Sequence, residues 1–593
     1  MLGPGASTAA IEGIVDRGGG NPFFLEELIR AEAEGRGGAL PDTVVAMVEA
    51  RLEALPPEAR RVLRAASVFG ETFWRGGVLS LLRGSVRDDE IDAHLSFLVE
   101  RETIVRRLGS RFSGEPEHGF RHALVRDAAY AMLIDDDRRL GHRLAAGWLD
   151  VVGERDALTM GEHLERGGEP ARAVPFYRAA AGTAFQGSDL PGVVRAAERA
   201  LACGAEGEIR GEALYLKAEA HFWRGEGQEA SRDVEACVTL LPSGTAFFCQ
   251  AMGGISVTRI QAGAFDEASP IIATLLSIEP AISARVTYLR GVQANVLMLS
   301  AVGRHDDARR FLERLTQVAA LQGEADPLAQ AHFHLGRASA AHLLDGDPAR
   351  ALHEARAARA SFLAAGGSPS VGFVDNEELL ARGALGDLSA SADLDAAIAV
   401  AERLGGTPFL PLHLALAALL HGRAGRRTEA RDLAARAARA IPDPGDQVFA
   451  AQARALLAWA LLAAGDAEGA ARAAEHALDR VRGTPSRAAA TAILALAILS
   501  LRGADGANEA LTAAREASIL AAPLSSIGYE DPLPALALAE SLLASGLSAE
   551  ARATAETARN VILARADSLP DALARAAFLA VPERARLLDL AGH

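Results

Sequence analysis

The sequence predicts an all-α protein: an α-solenoid preceded by a smaller segment of mixed pattern. Three observations carry that prediction. Half of the 593 residues are hydrophobic but only 5% are aromatic, so the apolar half is mostly alanine and leucine, which favour helix over strand. From about residue 157 a glycine recurs between helical segments, at Gly168, Gly225, Gly263, Gly303, Gly346, Gly386, Gly425, Gly465, Gly506 and Gly546. After Gly225 the spacings are 38, 40, 43, 40, 39, 40, 41 and 40. Eight of these ten glycines have alanine five residues on, at Ala173, Ala230, Ala268, Ala308, Ala351, Ala430, Ala470 and Ala551; Gly386 and Gly506 break the rule. A fixed period in a helical sequence means stacked helical hairpins.

The elements follow in order. Helices are expected over 7–17, 22–35, 42–54, 57–68 and 88–99. Thr103-Ile104-Val105-Arg106-Arg107 alternates like a strand, residues 114–117 make a turn, and Gly119-Phe120-Arg121 reads as the return strand. A helix follows from His122 to about Leu133. Three helices and a β-hairpin form a winged-helix pattern, a shape that does not by itself imply DNA. The interval from Gly168 to Gly225 is 57 residues, too long for one unit, so it holds an extra helix, with segments Ala171–Phe185 and Leu190–Cys203. In each unit the glycine ends the first helix with positive φ, and the alanine lets the second helix cross it closely. Ala218, Ala230, Val234, Cys237 and Pro242 mark one unit; Ala458, Ala470, Ala474 and Ala477 mark another, and Ala430, Ala434, Ala437 and Pro442 a third. These small residues and closing prolines resemble the tetratricopeptide pattern, with units longer than the family's repeat of about 34 residues.

Composition excludes several chemistries. Net charge is 61 − 77 = −16, which disfavours phosphate backbones and anionic membranes. Lys217 is the only lysine, and no glycine-rich loop precedes it, so both the P-loop and the kinase lysine are missing. Three cysteines are too few for a disulfide framework, and no Gly-x-Ser-x-Gly elbow occurs. His332 and His334 stand two apart on a helix and so face different ways, and Glu162-His163 lacks an H-E-x-x-H partner. No catalytic or metal site is therefore expected. The longest apolar run, Ala488–Leu501, is too short to span a bilayer and reads as a buried helix. Met1–Ala10 has no signal-peptide pattern, so a cytoplasmic location is expected.

The sharpest string is Gly20-Asn21-Pro22-Phe23-Phe24-Leu25-Glu26-Glu27-Leu28. It resembles the G-x-P segment in the lid of STAND-type signalling ATPases. Leu40-Pro41-Asp42-Thr43-Val44 and Arg51-Leu52-Glu53-Ala54-Leu55-Pro56 resemble the next lid segment, and Phe120-Arg121-His122-Ala123-Leu124-Val125-Arg126-Asp127-Ala128-Ala129-Tyr130 resembles the end of the family's winged-helix domain. Ala574-Arg575-Ala576-Ala577-Phe578-Leu579-Ala580-Val581-Pro582-Glu583 is similar to the end of the attached repeat arrays. The resemblance implies a residual lid over 1–38, a winged-helix-like domain over 39–150, tetratricopeptide-like repeats over 151–560 and a helical cap over 561–593. It implies nucleotide contacts from Asn21, Pro22 and His122, but only when a P-loop core is joined to the chain. No cofactor is expected in the chain itself, ATP or ADP being that of the full-length family.

Two departures bear on His122: Ala123 replaces the family's aspartate, and Arg121 replaces its apolar residue. Met1 starts inside the lid, so the P-loop core is expected upstream or in trans, and Phe23, Phe24 and Leu28 are expected to lose part of their burial without it. The function expected is a non-catalytic regulatory and scaffolding portion of such an ATPase, which binds protein or peptide on the concave face of its repeats. The alternative is a transcription regulator that binds DNA through the winged helix; with the acidic charge, nucleic acid is not the expected partner, and neither is a membrane.

Overall fold

The computed structural model describes residues 44–592 apart from 84–85, 225, 368–369, 404–408, 443–446 and 481–484, together with Val15, Leu25, Leu28 and Ile29. Of the expected helices over 7–17 and 22–35 only Val15, Leu25, Leu28 and Ile29 are described, each in helical conformation; Asn21, Pro22, Phe23 and Phe24 lie outside the described residues. Leu28 is buried, against the expectation that it loses burial. The chain forms two compact units, Met1–Leu240 and Leu241–His593.

The first unit opens with α1 (Val44–Glu53), α2 (Pro57–Ser67), β1 (Thr72–Trp74), α3 (Arg75–Leu81), α4 (Asp88–Glu100), β2 (Ile104–Arg106) and β3 (Glu117–Phe120). The strands form one antiparallel sheet in the order β1-β3-β2, with Phe73 opposite His118 and Val105 opposite Gly119. Three elements depart from the sequence reading. The return strand starts at Glu117, inside the expected turn. β1 and α3 were not expected at all: β1 has three residues, too few for periodicity, and α3 contains Gly76-Gly77, which weakens any helix signal. Packing explains the second glycine, since a Cβ at Gly77 would sit 2.8 Å from the Phe69 ring. Val62, Phe73, Val78, Ile91, Leu98 and Ile104 form the fully buried centre.

α5 (Ala123–Ala131) and α6 (Asp135–Val152) follow. Three aspartates, Asp135, Asp136 and Asp137, open α6, where negative charge suits the helix dipole. Then come α7 (Ala157–Arg166), α8 (Pro170–Gln186), α9 (Leu190–Ala202), α10 (Gly207–Trp223) and α11 (Gly227–Val238). Each packs on the next, and α8 also touches α10, so the extra helix serves both neighbours.

The second unit is a tetratricopeptide-like α-solenoid of paired helices. The pairs are α12 (Ala246–Gln261) with α13 (Phe265–Ser277), α14 (Arg285–Ala301) with α15 (His305–Gln322), α16 (Pro327–Leu343) with α17 (Pro348–Ala364), and α18 (Val371–Ala384) with α19 (Ala390–Arg403). They continue as α20 (Leu410–Arg423) with α21 (Arg427–Ala440), α22 (Gln447–Ala463) with α23 (Ala467–Arg480), α24 (Pro485–Arg502) with α25 (Ala507–Ala521), and α26 (Pro532–Ala544) with α27 (Ser548–Asp567). Two short helices, α28 (Ala572–Leu579) and α29 (Pro582–Gly592), end the chain. α27 runs straight through residue 561, where the sequence reading began a separate cap.

The first helices of successive pairs touch one another and form an inner layer; the second helices lie outside them. The period has the predicted cause. Gly168, Gly263, Gly303, Gly346, Gly386, Gly425, Gly465 and Gly546 all have φ between 58° and 84°. The eight alanines five residues on are all buried. Gly506 departs: its φ is −93°, and Gly503, at +52°, makes the turn instead. That turn splits the stretch Pro485–Ala521, which passes the length and apolarity test for a membrane span, into the hairpin α24–α25. Ala488, Ala489, Ala490, Ala492, Ile493 and Ala495 are buried within it.

Candidate functional site

The inner helix α20 of the second unit is apolar on every side. In α20 every residue from Pro411 to Gly422 is buried, whereas its outer partner α21 buries only Ala430, Leu433, Ala434 and Ala437. A helix that is apolar all round must be covered on both faces. α20 packs on its neighbours in the array, and Leu412, Leu416, Leu419 and Arg423 share one small cavity with Tyr529, Pro532, Val581 and Glu583 from the C-terminal part of the chain.

Residues of that C-terminal part follow the turn ends of four successive repeats, in order. Ser525 meets His305, 3.0 Å from its Nδ1. Arg565 donates to the Asp345 carbonyl at 3.0 Å and to Asp531 at 3.0 Å. Arg584 donates to the Ala384 carbonyl at 2.7 Å, and Arg423 donates to Glu583 at 3.1 Å. Two of the turn glycines touch this track. A Cβ at Gly346 would lie 2.3 Å from the Asp531 carboxylate, and one at Gly386 would lie 2.5 Å from the Ala577 carbonyl oxygen.

The polar centre lies where α29 enters. Pro582 opens that helix, and Glu583 stands in its first turn, where the dipole favours a carboxylate. Glu583 accepts from Arg423 Nη2 through one oxygen and from Trp459 Nε1 through the other, the latter at 2.6 Å. Arg423 also donates to the Gly383 carbonyl at 3.2 Å and lies over the Trp459 ring, 4.7 Å from its centroid. Its Nε is buried with no partner among the described residues. Arg584 lies over the Phe578 ring at 3.7 Å, and burial, with Arg423 nearby, pushes its guanidinium down to about 9. Beside it, His342 bonds Glu377 at 2.9 Å and stacks on Tyr529 with ring centroids 3.8 Å apart. Glu530 is raised above the usual carboxylate range by burial.

Leu412, Leu416, Leu419, Leu456 and Val581 join these groups around a residual cavity of about 30 Å³. That is room for one or two waters and not for an organic ligand. The arrangement therefore recognises a carboxylate presented by a helix and has no free space for a small molecule.

Of the sequence-predicted site residues, Asn21 and Pro22 lie outside the described residues. His122 is half-buried and caps α5 in extended conformation, with φ −137° and ψ 137°. Its neighbour Arg121 pairs with Glu102 at 3.1 Å. The chain's own C-terminal residues lie at the turn ends of the hairpins, from His305 to Arg423. His332 and His334 diverge as the helical spacing requires: His332 packs on Phe362, and His334 bonds Glu354 at 2.8 Å. Among the described residues no group of three or more His, Cys, Asp or Glu is placed to hold a metal. Sequence reasoning missed Arg423, Trp459, Glu583 and Arg584. Their signals were a tryptophan within the alanine-leucine helix Gln447–Ala463 and the charged pair directly after Val581-Pro582.

No family model matches the chain. One curated relative, an uncharacterized protein of Rhizobium meliloti (strain 1021), is 29% identical over 186 residues, covering 27% of this chain. The match spans 17% of that relative's length. Among solved structures, a STAND protein with a tetratricopeptide repeat sensor from Pyrococcus horikoshii overlaps with TM-score 0.37 at 13% identity, over 84% of this chain and 67% of that one. Yeast Tom70 overlaps with TM-score 0.31 at 14% identity, over 77% and 96% of the two chains. Cut9-Hcn1 of the APC/C overlaps with TM-score 0.39 at 15% identity, over 76% and 82%. Likeness at these scores carries no argument about function.

Proposed function

We propose that this chain is the non-catalytic regulatory and scaffolding part of a STAND-type signalling ATPase, and that it binds protein through its helical repeats in the cytoplasm. The observation that carries the reading is the solenoid itself: stacked hairpins present long surfaces suited to protein partners. The order of α2, β1, α3, α4, β2 and β3 supports it, being helix, strand, two helices and hairpin, the winged-helix order, placed ahead of the repeats. His122 then stands at the end of that domain, where the family's histidine meets the ADP phosphate. The nucleotide core would be supplied in trans or joined to this chain.

The DNA-binding alternative finds no support. α4, the third helix of the winged-helix order, carries Asp88, Asp89, Glu90, Asp92 and Glu100 and would be repelled by phosphates. Three of the arginines nearby are neutralised: Arg75 by Asp88 and Asp92 at 3.0 and 2.8 Å, Arg107 by Glu117 at 3.6 Å, and Arg111 by Glu154.

Calorimetry tests the proposal. The chain alone should bind neither ATP nor ADP, and a P-loop core of this class loaded with ADP should bind the chain. Micromolar ATP affinity, or ATP turnover abolished by a point substitution in this chain, would overturn it.

A further inference from the structure

The C-terminal helices pack on α26 and α27 through an apolar cluster of Phe578, Leu587 and Ala591 with Leu536, Ala555 and Ile562, whereas their joint with the inner layer is polar. α29 buries four residues, Glu583, Arg584, Leu587 and Ala591, and two of them are charged. α28 buries only Phe578, while Leu573 is 81% exposed. The joint encloses a cavity of about 30 Å³, room for one or two waters, lined by Val581 and the leucines of α20. Replacing a buried ion pair by apolar side chains often leaves stability equal or better, so such pairs are better suited to selecting a partner than to holding a fold. The receiving side is built differently. Arg423 and Trp459 come from two adjacent inner helices, are themselves almost fully covered, and both donate to one carboxylate.

We infer that residues 572–592 are a displaceable intramolecular ligand, and that the Arg423–Trp459 site they occupy is the array's receptor for a protein helix carrying a glutamate in its first turn. The inference rests on reading the repeats as a protein-binding scaffold, and it names the partner's chemistry. The apolar part of the recognition is the small cavity that Val581 lines together with Leu412, Leu416 and Leu456; the polar part is the two-donor grip on the Glu583 carboxylate. A partner helix with the same apolar-proline-glutamate start would compete for both. While the C-terminal helices are seated the receptor is closed, so binding in trans requires their release.

The test uses the full chain and a labelled, N-acetylated peptide of residues 570–593. In the wild-type chain, backbone amides of 572–592 should exchange with deuterium through a local opening, at least about 100-fold less protected than those of α20 and α22. A full-length Glu583→Ala/Arg584→Ala variant should bind the peptide at least tenfold more tightly than the wild type does. Adding Arg423→Ala, or placing Glu583→Gln in the peptide, should remove that gain. Exchange of 572–592 only together with α20 and α22 would overturn the inference. So would a double variant of native helical content that gains no peptide binding. Should the double variant lose helical content, the wild-type exchange pattern decides alone. A chain that opens and takes the peptide but binds no ADP-loaded core upholds this inference and counts against the parent reading instead.

Discussion

At the residue scale, one buried histidine pair sets a pH response. The Tyr130 hydroxyl lies 2.7 Å from His142 Nε2, and His142 Nδ1 lies 3.0 Å from His163 Nδ1. Burial pushes His142 down to about 3 and His163 down to about 4, so both are neutral in the fold. In the unfolded chain each takes up its proton near 6.5. Between about pH 6.5 and about pH 4 the unfolded state thus binds more protons, and stability falls as pH falls through that window. Urea unfolding should show this loss, and a His142→Leu/His163→Leu variant should flatten the slope by on the order of a few kcal/mol across the window.

Two glycines allow a sharper contrast. Gly386 and Gly425 have φ of 81° and 77°, and a Cβ at Gly425 meets open space while one at Gly386 meets the Ala577 carbonyl. Gly425→Ala should cost about 1 kcal/mol of backbone strain. Gly386→Ala should cost clearly more and also loosen α28, as read by thermal unfolding and by amide exchange over 572–579. The positive φ was legible in the sequence from the period. The contact with Ala577 was not, because nearly 200 residues separate the partners.

At the element scale the alanine rule makes the next prediction. Ala470 is fully buried where α23 crosses its neighbours. Ala470→Leu should overpack that crossing and destabilise by about 1–3 kcal/mol in chemical denaturation. Positions such as Arg472, with its side chain 64% exposed, should tolerate the same change. Helix, turn and crossing were legible here because each repeat states them again and local chemistry fixes each one. β1 and α3 were not legible. A three-residue strand has no period to read, and the glycines of α3 are explained only by what they admit, the Glu115 carboxylate at Gly76 and the Phe69 ring at Gly77. The all-round apolar character of α20 was present in the sequence as a run of buried-type residues. It announces a second covering layer without saying which segment provides it.

At the scale of the whole molecule, the proposed function joins the repeats to the segment that precedes them in the chain. The candidate receptor at Arg423 and Trp459 was invisible in the sequence, because its glutamate comes from more than 120 residues away. The resemblance that assigned His122 rests instead on contiguous strings, and so could be read at once. The measurement that tests the central claim most directly is ADP release from this chain joined to a P-loop core of its class, for the wild type and for His122→Ala. A charge-assisted hydrogen bond to phosphate contributes roughly 1.5–3 kcal/mol, so the account predicts release faster by about tenfold or more in the variant. A joined protein that holds no ADP at all would contradict it, and equally fast release with and without His122 would contradict the role given to that histidine.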